Sequence, residues 1–208
     1  MVKQYISITP GGQVDLIGYA GDEISKTIAI VSMEEKPFKI TDITSEVKDK
    51  IKYNLKTKKK DKEYALEIKN RLTEKGSFQG NIQLKTTSER KPEIVIRVFG
   101  NLSEEVMVSP ESISFGTIDT NSEAFKSLSL KKIITLKDMR GDDLTIKKIK
   151  SSKKWIVTEV EKSGKDYNVF VSLDKDKLPK GHFEEKINIH TNYKKGKSIV
   201  IEIKAEVI

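Results

Sequence analysis

The sequence predicts an all-β protein built as two tandem β-sandwiches, and three observations carry that expectation. The chain repeats one long pattern, its apolar residues alternate with polar ones at the period of strands, and turn-forming residues separate the alternations. No window shows a convincing helical stripe of apolar residues at a spacing of three and four.

The repeat is clearest from Lys75-Gly76-Ser77-Phe78 through Asn81-Ile82-Gln83-Leu84-Lys85-Thr86 to Glu93-Ile94-Val95-Ile96-Arg97-Val98. A shift of 105 positions restores it as Lys180-Gly181-His182-Phe183, Lys186-Ile187-Asn188-Ile189-His190-Thr191 and Ser198-Ile199-Val200-Ile201-Glu202-Ile203. Upstream, Glu63-Tyr64-Ala65-Leu66-Glu67-Ile68 answers Asp166-Tyr167-Asn168-Val169-Phe170-Val171, and Ile8-Thr9-Pro10 answers Val108-Ser109-Pro110. The chain therefore divides into two related units, residues 1–102 and 103–208, with Gly100-Asn101-Leu102-Ser103-Glu104-Glu105 as a short polar joint.

The elements follow in order. Tyr5-Ile6-Ser7-Ile8 opens as a strand, Pro10-Gly11-Gly12 turns it, and Glu63 to Ile68 alternates in and out. Ile82, Leu84 and Thr86 face one way while Asn81, Gln83 and Lys85 face the other, and Ile187, Ile189 and Thr191 repeat that arrangement. Arg140-Gly141-Asp142-Asp143 and Ser163-Gly164-Lys165-Asp166 are turn signals of the second unit. The terminal run Ile199 to Ile208 is the longest alternation; as an edge it could pair with another chain, but Lys197, Glu202, Lys204 and Glu206 put charge on its outer face, so pairing inside the sheet is the expectation. About seven strands per hundred residues describe a two-sheet sandwich.

Composition narrows the function. The chain has 208 residues, 39 Lys and Arg against 31 Asp and Glu, a net charge of +8 and no cysteine. Disulfide scaffolds, thiol chemistry and cysteine zinc sites are excluded. No apolar stretch reaches the length of a membrane-spanning helix. The start runs directly into a strand without the regions of a signal peptide, which leaves a cytoplasmic protein or an exported one written in mature form.

In the second unit, Val108-Ser109-Pro110, Ile113-Ser114-Phe115-Gly116-Thr117-Ile118, Asp143-Leu144-Thr145-Ile146-Lys147-Lys148-Ile149 and Gly181-His182-Phe183 before Ile187-Asn188-Ile189-His190-Thr191-Asn192 follow one another. That order resembles the immunoglobulin-like modules of the Hydin-type (ASH) and major-sperm-protein-like superfamily, in particular a bacterial branch of unknown function found in exported proteins. The first unit shares it more faintly, with Leu16-Ile17-Gly18 where Phe-Gly is expected. The resemblance implies two tandem immunoglobulin-like β-sandwich domains of about seven strands each, a structural or protein-binding role, and a periplasmic or extracellular location if the chain is mature. Where many bacterial members carry Ser-Cys-Gly-Cys, this chain has Ser151-Ser152-Lys153-Lys154-Trp155. Any redox or metal property of those cysteines is absent.

Candidate sites are few. His182, read as part of a turn, and His190, read on the polar side of a strand, are both expected to be solvated. The carboxylate pairs Glu34-Glu35, Glu104-Glu105, Asp142-Asp143 and Glu184-Glu185 are sequence neighbours, which in strands point to opposite faces. Asp174-Lys175-Asp176 lacks the glycine and terminal Glu of a calcium loop, and Pro10-Gly11-Gly12 is no phosphate loop.

Basic runs are more serious: Lys56-Thr57-Lys58-Lys59-Lys60-Asp61-Lys62, then Lys147-Lys148 with Lys150 and Lys153-Lys154, then Tyr193-Lys194-Lys195-Gly196-Lys197. Only four of the 39 basic residues are Arg, whereas phosphate recognition favours the Arg fork, and the runs coincide with expected turns. Trp155 is a core plug or an exposed anchor for a partner, with the plug favoured.

The sequence thus reads as a non-enzyme with no cofactor, no metal and no evident small-molecule substrate, whose partner is another protein. The alternative is an anionic polymer or surface, namely nucleic acid, acidic glycan or lipid. Contact residues for either partner would be Lys58, Lys59, Lys60, Lys153, Lys154 and Trp155.

Overall fold

The computed structural model of the chain describes residues 5–193 and 198–208. Over these residues the fold is all-β: sixteen strands and two short 3-10 turns, arranged as four four-stranded sheets. Contacts divide the chain into two compact units, Met1–Glu104 and Glu105–Ile208.

The first unit contains β1 (Ile6–Thr9), β2 (Gln13–Tyr19), β3 (Ser25–Ser32), β4 (Ile40–Ser45), β5 (Ile51–Lys59), β6 (Glu63–Asn70), β7 (Gly76–Thr86) and β8 (Glu93–Ser103). The second contains β9 (Val106–Ser109), β10 (Ser112–Ile118), β11 (Lys131–Asp138), β12 (Ile146–Ser151), β13 (Ile156–Ser163), β14 (Asp166–Leu173), β15 (Gly181–Thr191) and β16 (Ile199–Val207). Each unit therefore has eight strands, one more than the spacing of turns predicts. The extra one arises because the first alternation is cut in two at Thr9-Pro10 and Ser109-Pro110, both cis peptides, after which the chain passes to the other sheet.

Sheet order is β1-β3-β6-β5 over β2-β8-β7-β4 in the first unit, and β9-β11-β14-β13 over β10-β16-β15-β12 in the second. All pairings are antiparallel except β2 with β8 and β10 with β16. This is an immunoglobulin-like sandwich in which the first strand is shared between the sheets.

Each unit closes its own core from the inward residues of both sheets. Leu16, Ile28, Ile30, Leu66, Ile82 and Ile96 are buried in the first, and Ile134, Leu136, Val169, Val171, Ile187 and Ile203 in the second. The burial alternates along β8 without a break from Glu93 to Ser103, as period-two chemistry requires.

The terminal hairpins share one register. Gly76 faces Leu102, Phe78 faces Gly100 and Ile82 faces Ile96; 105 positions on, Gly181 faces Val207, Phe183 faces Ala205 and Ile187 faces Ile201. That register corrects one equivalence. Gly116 lies opposite Ala205, the counterpart of Gly100, which faces Leu16; Gly18 lies two positions further, opposite Leu102. Gly18 is therefore not the counterpart of Gly116. The Phe115-Gly116 pair forms a bulge in β10, with Gly116 at φ +70 and Phe115 turned onto the core.

Two further expectations change. Gly100 to Ser103 are not a linker but the last residues of β8, paired with Leu16 to Tyr19; their polar members Asn101 and Ser103 face outward. The terminal run is no edge, since β16 lies between β10 and β15.

Candidate functional site

The described lysine runs lie partly on edge strands and partly in the expected turns. Lys56, Lys58 and Lys59 belong to β5, the edge of its sheet, and the turn proper is Lys60-Asp61-Lys62, with Asp61 at φ 57. Lys147, Lys148 and Lys150 belong to β12, also an edge. Both strands carry a bulge against their neighbour, between Thr57 and Lys59 and between Ile146 and Lys148. Charge and bulge together are how a sheet edge is kept from pairing with another chain, which gives these lysines a structural reason. Lys58, Lys59 and Lys60 are all exposed. Lys194, Lys195, Gly196 and Lys197 lie outside the described residues.

Lys153 and Lys154 are exposed at the turn between β12 and β13, and Lys153 reaches Glu185 at 3.4 Å. Trp155 is half-buried. Its ring meets Phe183 edge to face at 4.7 Å between centroids and packs against the core. Its carbonyl accepts the Asp174 N–H at 2.8 Å.

The histidines do not converge. His182 lies within β15 rather than in a turn, is exposed, and stands 3.5 Å from both Glu184 and Glu206. His190 pairs with Lys148 across the sheet. Asp174 caps a 3-10 turn, accepting the Asp176 N–H at 3.2 Å and meeting Lys177 at 2.6 Å. Among the described residues, no three His, Asp or Glu side chains are grouped to hold a metal ion.

A dense polar cluster among the described residues was not visible in the sequence. Asp138, at the end of β11, accepts N–H groups of Arg140 (3.1 Å), Gly141 (2.8 Å) and Leu144 (3.2 Å), and the Tyr193 hydroxyl at 3.2 Å. Arg140 bridges Glu105 at 2.9 Å and Asp142 at 2.8 Å. Burial alone would raise the Asp138 carboxyl, but these hydrogen bonds together hold it below its ordinary value. Burial, followed by the Asp138 charge and hydrogen bond, pushes the Tyr193 hydroxyl up to about 12. Every partner fastens the loop from β11 to β12, so the cluster is a clasp. Only the turn residues Arg140-Gly141-Asp142 signalled it; Tyr193 lies 55 positions from Asp138.

The outer sheet faces distinguish the units. On β9-β11-β14-β13, Phe170 stands between Ile133 and Glu159, with Val157 on the same face. Ile133 is 45% exposed, Val157 46% and Met107 43%. Lys131 lies over the Phe170 ring at 4.5 Å and pairs with Glu159 at 2.8 Å. The corresponding positions of the first unit are Thr27 for Ile133, Glu67 for Phe170 and Lys52 for Val157, where Lys56 and Lys69 meet Glu67 at 3.5 and 3.1 Å. One frame thus carries an apolar strip in the second unit and an ion-paired surface in the first.

No family model matches the chain, and no curated protein matches its sequence. Solved structures do resemble it. A protein of unknown function from Porphyromonas gingivalis aligns over 98% of this chain and 100% of that one at 11% identity and a TM-score of 0.40. Two tandem immunoglobulin domains of titin align over 98% and 96% at 13% identity and a TM-score of 0.32. Extracellular cadherin domains 1–4 of protocadherin gamma B7 align over 96% of this chain and 50% of that one, at 8% identity and a TM-score of 0.43. Likeness at this level says nothing about activity or partner. No helix among the described residues is long and apolar enough to cross a membrane, which says nothing of a β-barrel.

Proposed function

We propose that the chain is a non-catalytic protein-binding module made of two related immunoglobulin-like domains, residues 1–102 and 103–208, and that it docks its partner on the outer face of β9-β11-β14-β13. The observation that carries this reading is the apolar strip of Ile133, Phe170 and Val157 on a face whose counterpart in the first unit is polar. Exposed Ile133 and Val157 flanking a half-buried Phe170 are costly in water and mark an interaction surface. The occupant is a foreign protein presenting an apolar patch. An acidic group beside that patch would compete with Glu159 for Lys131.

Lys58, Lys59, Lys60, Lys153 and Lys154 enter this reading as peripheral charges, and Trp155 as a side chain committed mainly to its own core. Kinship with the Hydin-type and major-sperm-protein-like superfamily, and the exported location it implies, belong to the same proposal. They rest on the Phe115-Gly116 bulge and the Gly181-His182-Phe183 strand start.

The test is photo-cross-linking in native lysate with a cross-linking amino acid at position 157, and at position 52 as the matched site of the first unit. A discrete protein adduct from position 157 that disappears in Ile133→Asp supports the reading. Adducts of a second copy alone, equal labelling from position 52, or none from either overturn it.

A further inference from the structure

The opposite sheet of the first unit carries a different surface. A groove of about 420 Å³ opens on its outer face, lined by Gln13, Glu46, Gln79, Asn81, Arg97 and Phe99. Register places these side chains on a grid: Gln13, Arg97 and Asn81 form one row across β2, β8 and β7, and Asp15, Phe99 and Gln79 form the next. Strands about 4.8 Å apart and rows about 7 Å apart match the scale of a sugar ring.

The polar groups are oriented. Glu46 accepts both the backbone and the side-chain N–H of Asn81 at 3.0 Å, which leaves the Asn81 amide oxygen free to accept. Gln13 donates to Asp15 at 2.9 Å, leaving its own amide oxygen as an acceptor. Among the described residues, neither the Arg97 guanidinium nor the Gln79 amide has a hydrogen-bond or ion-pair partner. Phe99, flanked by Asp15 and Gln79 in the second row, is 37% exposed.

The same face of the second unit is built differently. Under the shared register, Arg97 becomes Glu202, Asn81 becomes Lys186, Phe99 becomes Lys204 and Gln79 becomes Glu184. Lys186 and Glu202 neutralise each other at 3.3 Å, and Glu184 and Lys204 are direct cross-strand neighbours. The first unit lacks that ladder and holds planar amides, one unpaired guanidinium and an exposed aromatic ring in its place.

We infer that the outer face of β2-β8-β7 binds a neutral oligosaccharide. A polyhydroxylated ring donates and accepts on adjacent carbons, as this mixture of Arg97 and Gln79 donors with Asn81 and Gln13 acceptors requires. Its C–H face packs on an aromatic ring such as Phe99. Glu46, with Asp15 in the adjoining row, disfavours an acidic ligand. This site is independent of the protein-docking face, lying on the other sheet and in the other unit.

The test is calorimetric titration of the full chain with a panel of neutral hexasaccharides (β-1,4-glucan, β-1,3-glucan, β-1,4-mannan, α-1,4-glucan and chitohexaose) at concentrations to 10 mM. At least one is expected to bind saturably, with affinity unchanged between 50 and 500 mM salt. Phe99→Ala and Arg97→Ala, both at exposed positions, should each weaken it by about tenfold or more, while Lys204→Ala should leave it intact. Absence of binding by every member overturns the inference. So does binding that survives both first-unit variants, or a surface that takes only polygalacturonate or heparin with steep salt dependence.

Discussion

At the scale of the residue, Asp138 shows how a fold hides its strongest polar contacts from the sequence. One carboxylate gathers three backbone N–H groups and the Tyr193 hydroxyl, so Asp138→Ala leaves several donors of a partly buried loop unmatched. The expected cost is about 2 kcal/mol, read from the urea midpoint of the second unit. The pH dependence has two signs. The Asp138 pKa is lower in the fold than in the open chain, so its contribution is present at neutral pH and is lost as pH falls below the ordinary carboxylate range. Tyr193 is raised from 10.0 to about 12, so its contribution holds below pH 10 and fades from there to about 12, and Tyr193→Phe removes that alkaline loss. The turn at Arg140-Gly141-Asp142 was legible because Gly and Asp have local preferences. The clasp was not, because its partners meet only through the register of distant strands.

At the scale of the element, the same hairpin has solved one packing problem twice. Phe78 lies directly over Gly100, where an added Cβ would collide with its ring. In the second unit Ala205 occupies that position, and Phe183 packs against Trp155 instead. An aromatic ring resting on a cross-strand glycine covers the gap that the missing side chain leaves. Gly100→Ala should therefore destabilise the first unit by about 1–3 kcal/mol, and Phe78→Leu in the same chain should recover part of the loss. Overpacking is contradicted if the alanine is neutral or the double variant is worse than both singles.

The strands of this hairpin were legible as alternation and its repeat as a shift of 105, but Gly100 read as part of a joint because a glycine among polar residues looks like a loop. The lysine runs misled for a related reason. Alternation shows that a segment is a strand but not whether that strand is central or an edge, so Lys58 and Lys147 looked like turn residues when they guard edges.

At the scale of the whole molecule, the two units keep one frame and differ on its outer faces. Each closes a separate core, and the single tryptophan, Trp155, belongs to the second. Tryptophan fluorescence should accordingly shift its denaturation midpoint in Asp138→Ala and hold it in Gly100→Ala, while circular dichroism registers both. A fluorescence midpoint that follows Gly100→Ala would show the cores to unfold as one. The duplicated frame was readable because buried positions obey period two in both copies. The faces that differ were not, because an exposed Ile133 and a buried Ile134 are the same letter in a row. The functional account therefore rests on geometry. Its most direct test is titration of the partner captured from position 157 against the wild-type chain, Ile133→Asp, and the triple change of Lys58, Lys59 and Lys60 to Glu. The account predicts at least a tenfold loss of affinity for Ile133→Asp and less than a threefold change for the triple variant in 150 mM salt. The reverse order would contradict it, placing the binding surface on the lysine edge instead.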